Sequence, residues 1–85
     1  MKTVVVIPAL DEAATIAEVV GALHRHGHGW VVVVDGGSRD DTVGRAQVAG
    51  ALVLVERRRG YGRACLAGAR QAIADGADIV AFVDG

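Results

Sequence analysis

Carboxylates and arginines gather at four places in this sequence, each directly after a short apolar run. Asp11 and Glu12 follow Pro8-Ala9-Leu10, and Asp35-Gly36-Gly37-Ser38-Arg39-Asp40 follow the valines at 31–34. Glu56-Arg57-Arg58-Arg59-Gly60 follow the run 51–55, and Asp84-Gly85 follow the run 79–83. Such carboxylates can hold a divalent cation or accept hydrogen bonds from a ligand, while arginines suit phosphate oxygens through paired N–H donors. Between residues 56 and 70, five arginines face one glutamate, a local charge of +4 in a chain whose formal net charge is −1. That patch suits a diphosphate or an anionic surface, with Arg63 as a candidate diphosphate contact. Positive charge where a helix begins opposes the helix dipole and so points to an anion there. For any one loop the simpler reading stays open, because loops are polar and Ser38 or Asp11 suits a helix N-cap.

Asp84 at the end of an apolar strand is a costly place for a charge unless a metal, a donor or water compensates it, which makes it the metal-ligand candidate. Asp35-Gly36-Gly37-Ser38 reads as a tight turn in which both glycines permit φ > 0 and let a flat ligand approach the backbone. The first loop lacks G-x-G-x-x-G and G-x-x-x-x-G-K-[ST], and Pro8 offers no N–H to a phosphate. The chain is therefore no NAD-type or P-loop protein by these motifs, and the loop is better suited to a nucleoside. His24 and His26 stand two apart, where helical side chains do not share a face, so favourable charge at a helix C-terminus explains them better than zinc. Cys65 reads as a buried structural thiol, and Trp30 as a packing residue at a strand start.

The elements that must position these groups follow from hydrophobic spacing. Residues 3–7, 30–34, 51–55 and 79–83 are β-branched runs without polar alternation, the pattern of strands buried on both faces. Between them Ile16, Val19, Val20 and Leu23 make one helical stripe, and Cys65, Leu66, Ala69, Ala72 and Ile73 make another. Thr15 with Glu18 and Ser38 with Asp41 read as capping boxes, and Gly27, Gly50 and Gly76 stand where helices should stop. The order βαβαβαβ implies an α/β fold, a parallel sheet with helices on both faces and right-handed crossovers. In such a sheet every strand's carboxyl end lies on one edge, where ligands bind, so the four polar loops should converge on a single rim.

Composition bounds the rest. Hydrophobic residues at 52% and charged residues at 22% exclude disorder, and 85 residues allow one small domain. The near-neutral net charge removes the basic field of a nucleic-acid binder. A lone cysteine excludes an internal disulfide, which fits a reducing, cytoplasmic compartment. No stretch approaches the roughly 20 apolar residues of a membrane span, and the opening apolar run is too short for a secretory signal.

Taken in order, V-V-V-I-P-A-L-D-E-A-A-T-I, V-V-V-V-D-G-G-S-R-D-D-T, R-G-Y-G-R-A and D-I-V-A-F-V-D-G resemble the N-terminal, nucleotide-binding half of family 2 glycosyltransferases with the Rossmann-like GT-A fold, the group that includes dolichol-phosphate mannose synthases. The resemblance covers essentially the whole chain. It implies that Pro8, Ala9, Leu10 and Glu12 line the nucleoside pocket of a sugar-nucleotide donor, with Glu12 as the polar contact. Val34 and Asp35 would lie beneath base and ribose, and Gly36 stands where many members carry a second aspartate that reads the base, so UDP and GDP both stay open. Asp84 matches the first aspartate of the D-x-D motif, which holds Mg²⁺ or Mn²⁺ on the donor diphosphate. Residues 1–85 are then a partial domain interrupted within that motif, with the catalytic base expected downstream of Gly85 and no catalytic residue assignable.

The complete enzyme would transfer a sugar with inversion to an acceptor, a polyprenyl phosphate being one candidate, at the cytoplasmic face of a membrane in a longer form. The rival readings are an inactive fragment or nucleotide-binding module that needs a partner, and a receiver-type phospho-accepting domain, which Pro8-Ala9-Leu10 and the single Lys2 disfavour. An uncovered sheet edge is expected to promote self-association.

Overall fold

The computed structural model describes residues 1–84. Among them the β-branched runs form four strands, β1 (Thr3–Ala9), β2 (Val31–Asp35), β3 (Leu52–Val55) and β4 (Ile79–Phe82). Helices α1 (Ile16–Arg25), α2 (Thr42–Val48) and α3 (Tyr61–Ala74) alternate with them. Every pairing is parallel and the strand order is β3-β2-β1-β4, so the chain starts in the middle of the sheet and lays later strands on either side. Register aligns Ala9 with Asp35 and Asp35 with Val55, which brings these three strand ends to one edge. This is the parallel α/β architecture the periodicity implied.

Successive side chains of a strand face opposite ways, and the valines divide accordingly. Val5, Ile7, Val31 and Val33 pack with Ile16 and Val20 of α1 and Ala46 of α2. Val4, Val6, Val32 and Val34 pack with Ala64 and Ala72 of α3 on the other face. Only β1 and β2 are buried on both faces; β3 and β4 are outer strands whose end residues are exposed, because each has a single sheet neighbour among the described residues.

The stripe of α3 also differs from expectation. Its buried positions are the small residues Ala64, Gly68 and Ala72, whereas Leu66 and Ile73 are 51% and 66% exposed. The helix lies too close to the valine-covered sheet for larger side chains: a Cβ on Gly68 would stand 2.3 Å from Val6 Cγ1. Neither capping box forms. Thr15 precedes α1 and Asp41 precedes α2 without a side-chain cap hydrogen bond, and the Ser38 hydroxyl is engaged elsewhere. Each helix does give way to its expected glycine, as at Gly50, whose φ of +101° disfavours other residues. Trp30 is 57% exposed rather than packed, with the Lys2 ammonium 3.8 Å from its ring centroid. No helix among the described residues is long and apolar enough to cross a membrane.

Candidate functional site

The carboxyl ends of the strands open into a cleft of about 830 Å³, within the range of small-molecule sites. Pro8, Ala9, Leu10, Asp11 and Glu12 form one wall, Val34, Gly36, Gly37 and Arg39 the next. Residues Glu56 to Tyr61, Ala64 of α3 and Asp84 complete it. Seven of the nine residues singled out from sequence thus share this cleft: Pro8, Ala9, Leu10, Glu12, Val34, Gly36 and Asp84. Asp35 and Arg63 are not among its walls.

Asp35 is the buried carboxylate of the rim, 1% exposed. Its Oδ2 accepts the N–H groups of Gly37 at 2.9 Å and Ser38 at 2.7 Å, and its Oδ1 accepts the Ser38 hydroxyl. An acidic side chain two and three residues before these amides closes an Asx-type turn, and every lone pair so used is unavailable to a ligand. Of the two glycines in the turn only Gly37 adopts positive φ, +99°; Gly36 does not, and an added Cβ there would meet Ala9 O and Leu10 Cδ1 at an ordinary 3.6 Å.

Residues that sequence reasoning assigned to caps or passed over tie the first two loops together. The Asp11 N–H donates to Ser38 Oγ at 2.8 Å and the Glu12 N–H donates to Thr42 Oγ1 at 2.8 Å. The Ala13 N–H likewise donates to Asp40 Oδ2 at 3.1 Å, and in return the Arg39 N–H donates to Asp11 Oδ1 at 2.8 Å and Arg45 Nη1 to the Ala13 carbonyl at 2.9 Å. The Thr42 hydroxyl, with the amides of Ala13 and Thr42, holds Asp40 below the usual carboxylate range. The only sequence signal for this lattice is the density of short polar side chains from Ser38 to Thr42, and it does not say which distant amides they meet.

The arginine cluster is divided by pairing. Arg58 donates Nε to Glu56 Oε1 at 2.9 Å and Nη2 to Oε2 at 2.6 Å, and its own N–H reaches Oε1 at 2.9 Å. These bonds, the side-chain pair first, lower the Glu56 carboxyl from 4.5 to about 2. Arg57 and Arg59 line the cleft and make no salt bridge among the described residues, which leaves them to an anion; Arg63, named from sequence, does not line it.

Because the folded-state value of Glu56 lies below the unfolded one, its contribution is complete above about pH 4.5 and is lost as pH falls towards about 2. Urea denaturation across pH should show the wild type's advantage over Glu56→Gln shrinking in that window; an advantage independent of pH would refute the pairing. The effect is small, since the Arg58 side chain is 69% exposed.

The Asp84 carboxylate accepts the Tyr61 hydroxyl at 3.0 Å, a bond that, ahead of the Cys65 contribution, pushes the phenol up to about 12. Asp84 is exposed two residues past the end of β4, so the desolvation cost anticipated at a strand end does not arise. Among the described residues no group of three or more His, Cys, Asp and Glu side chains could enclose a metal. A hard cation at Asp84 fits this donor set in one way: one carboxylate from the protein, with most of the other oxygens coming from a bound phosphate group and water, as Mg²⁺ prefers. Gly85 lies outside the described residues. His24 lies in the last turn of α1 with its ring against Gly50, which precedes β3, at the edge of the sheet opposite the cleft.

The family model described as Glycosyl transferase family 2 matches residues 4–85. The chain is 42% identical over 91 aligned residues to a glucosyl-3-phosphoglycerate synthase of Mycolicibacterium paratuberculosis, covering 94% of this chain and 27% of that protein. To the glycosyltransferase AglJ of Haloferax volcanii it is 39% identical over 71 residues, 84% of this chain and 22% of the other. The crystal structure of Mycobacterium tuberculosis glucosyl-3-phosphoglycerate synthase with Mn²⁺, UDP-glucose and phosphoglyceric acid matches at a TM-score of 0.80 and 35% identity, over 98% of this chain and 32% of that one. The same enzyme with Mg²⁺ and UDP matches at the same TM-score. The chain spans under a third of the length of these relatives. Its four parallel strands and the family match over nearly every residue show that the chain belongs to glycosyl transferase family 2.

Proposed function

We propose that this chain is the donor-binding part of a glycosyltransferase that takes a sugar from a UDP-linked donor and passes it, with inversion, to an acceptor bearing a phosphate group, lipid-linked or small. The observation that carries this reading is the cleft, where one rim gathers an apolar wall, Arg57 and Arg59 without a salt bridge among the described residues, and an exposed carboxylate. Pro8, Leu10, Val34 and Gly36 offer base and ribose a flat surface, and Glu12 supplies a hydrogen-bond acceptor beside it. Arg57 and Arg59 are placed for a diphosphate. Solved relatives carrying UDP or UDP-glucose with a divalent cation support the choice of UDP. Asp84 and the donor phosphates would hold Mg²⁺ or Mn²⁺, which when bound stabilises charge on the departing diphosphate. None of the described residues is assigned as the base that deprotonates the acceptor.

A second reading is favoured by exposed apolar side chains on the outer strands and on α3, Leu52, Ile73, Ile79 and Phe82 among them. Under it the chain binds donor, and transfer needs a partner surface over these residues. Both readings meet one experiment: thermal melting of the 85-residue chain with UDP or GDP, with and without Mn²⁺, beside Asp84→Ala. A ligand at about 100 times its Kd stabilises by ~2.7 kcal/mol, a rise on the order of 10 °C for a domain this small. The rise is expected with UDP and Mn²⁺ and is expected to vanish in Asp84→Ala; an unmoved transition sinks the proposal. Sugar release from UDP-glucose by the isolated chain would sink the second reading alone.

A further inference from the structure

Two hydroxyls stand at matching places between the second loop and the first. Ser38 Oγ donates to Asp35 Oδ1 and accepts the Asp11 N–H at 2.8 Å. Thr42 Oγ1 donates to Asp40 Oδ1 and accepts the Glu12 N–H at 2.8 Å. Direction is fixed by chemistry, since an ionised carboxylate only accepts and a backbone N–H only donates. A hydroxyl between the two must therefore point its one proton at the carboxylate and its lone pairs at the amide. We propose that Ser38 and Thr42 are positioning residues for donor binding: as carboxylate-polarised relays, they clamp the consecutive amides of Asp11 and Glu12 and so set the wall that meets the nucleoside.

The clamp answers two local needs. Asp11 holds φ at +50°, a left-handed conformation that a non-glycine residue keeps only when its surroundings hold it there. Its amide is fixed by Ser38 and its Oδ1 by the Arg39 N–H, so the residue is gripped from both sides. Thr42 is wholly buried at the first position of α2, so packing holds the hydroxyl that meets the Glu12 amide. Leu10, Asp11 and Glu12 all line the cleft, so a shift of these amides moves cleft wall directly. Preorganised walls bind more tightly because less ordering remains to be done on binding.

This inference rests on the donor-site reading and deepens it. It is tested on the full 85-residue chain by amide hydrogen exchange and by UDP titration with Mn²⁺, in wild type, Thr42→Val, Thr42→Ser and Ser38→Ala. Valine keeps the shape of threonine and removes the relay, whereas serine keeps the hydroxyl. In Thr42→Val, exchange at the Glu12 amide should rise and UDP should bind about tenfold more weakly, a change of ~1.4 kcal/mol, while the β1–β2 ladder amides keep their protection. Thr42→Ser should restore both. If Thr42→Val does not fold, Ser38→Ala carries the same test at the Asp11 amide. Exchange raised across the whole sheet, or UDP affinity indifferent to the loss of the hydroxyl, overturns the positioning role. A wild-type chain that binds no nucleotide overturns the donor-site reading, which the exchange pattern does not depend on.

Discussion

Gly68→Ala is expected to destabilise the chain by ~2 kcal/mol, although the same change stabilises most helices. On an exposed helix alanine gains up to about 1 kcal/mol over glycine. Here the new methyl would stand 2.3 Å from Val6 Cγ1 and 3.1 Å from Val34 Cγ2. Both valines are fully buried in the central strands, and a β-branched side chain has little freedom at χ1. The helix must lift instead, which loosens Ala64 and Ala72 against the same sheet face.

Gly44→Ala is the matching control. A Cβ there would also meet an atom at 2.3 Å, but that atom is Oδ1 of exposed Asp41, which can swing into water. It should be neutral or stabilising by about 0.5 kcal/mol. Urea denaturation of both variants decides the matter: a Gly68→Ala chain at least as stable as wild type would show that α3 does not sit this close to the sheet.

The pair of glycines also shows what the sequence could and could not disclose. Hydropathy placed the strands and the α1 stripe correctly because burial of β-branched runs and of Ile16 and Val20 is a direct consequence of apolar area. It chose Leu66 and Ile73 for the buried side of α3 for the same reason, and there the rule failed, because helix-to-sheet distance and not side-chain size sets that interface. The rim was legible from topology alone, since parallel strands end together. The partners of the polar residues on it were not. Ser38 looked like a cap because capping is local, yet its hydroxyl accepts from an amide 27 residues away. Arg63 stood out in the sequence as the diphosphate candidate and Arg58 looked equivalent to Arg57 and Arg59, until the line of the cleft and pairing with Glu56 separated them.

Asp35→Ala is expected to cost roughly 3 kcal/mol, a large share of the roughly 4–13 kcal/mol typical of so short a chain. The reason is the number of donors that one carboxylate serves. Without it the N–H groups of Gly37 and Ser38 and the Ser38 hydroxyl lose their acceptor beside a residue that is 1% exposed. Released from Asp35, the Ser38 hydroxyl no longer has a reason to turn its lone pairs to Asp11, so the damage reaches the first loop.

Asp35→Asn separates the two roles this residue could play. The amide oxygen can still accept from the two backbone N–H groups, and only the hydroxyl's acceptor is lost, a change of ~1 kcal/mol. If Asp35 acts through the turn, Asp35→Asn loses stability first and UDP affinity falls in proportion as the loop loosens. A direct hydrogen bond to the nucleoside would give the opposite order, undiminished stability with UDP binding abolished. Urea denaturation and UDP titration of the same Asp35→Asn sample would distinguish them, and the second outcome would return Asp35 to the wall of the cleft. The burial of its carboxylate and the three donors it already serves favour the first.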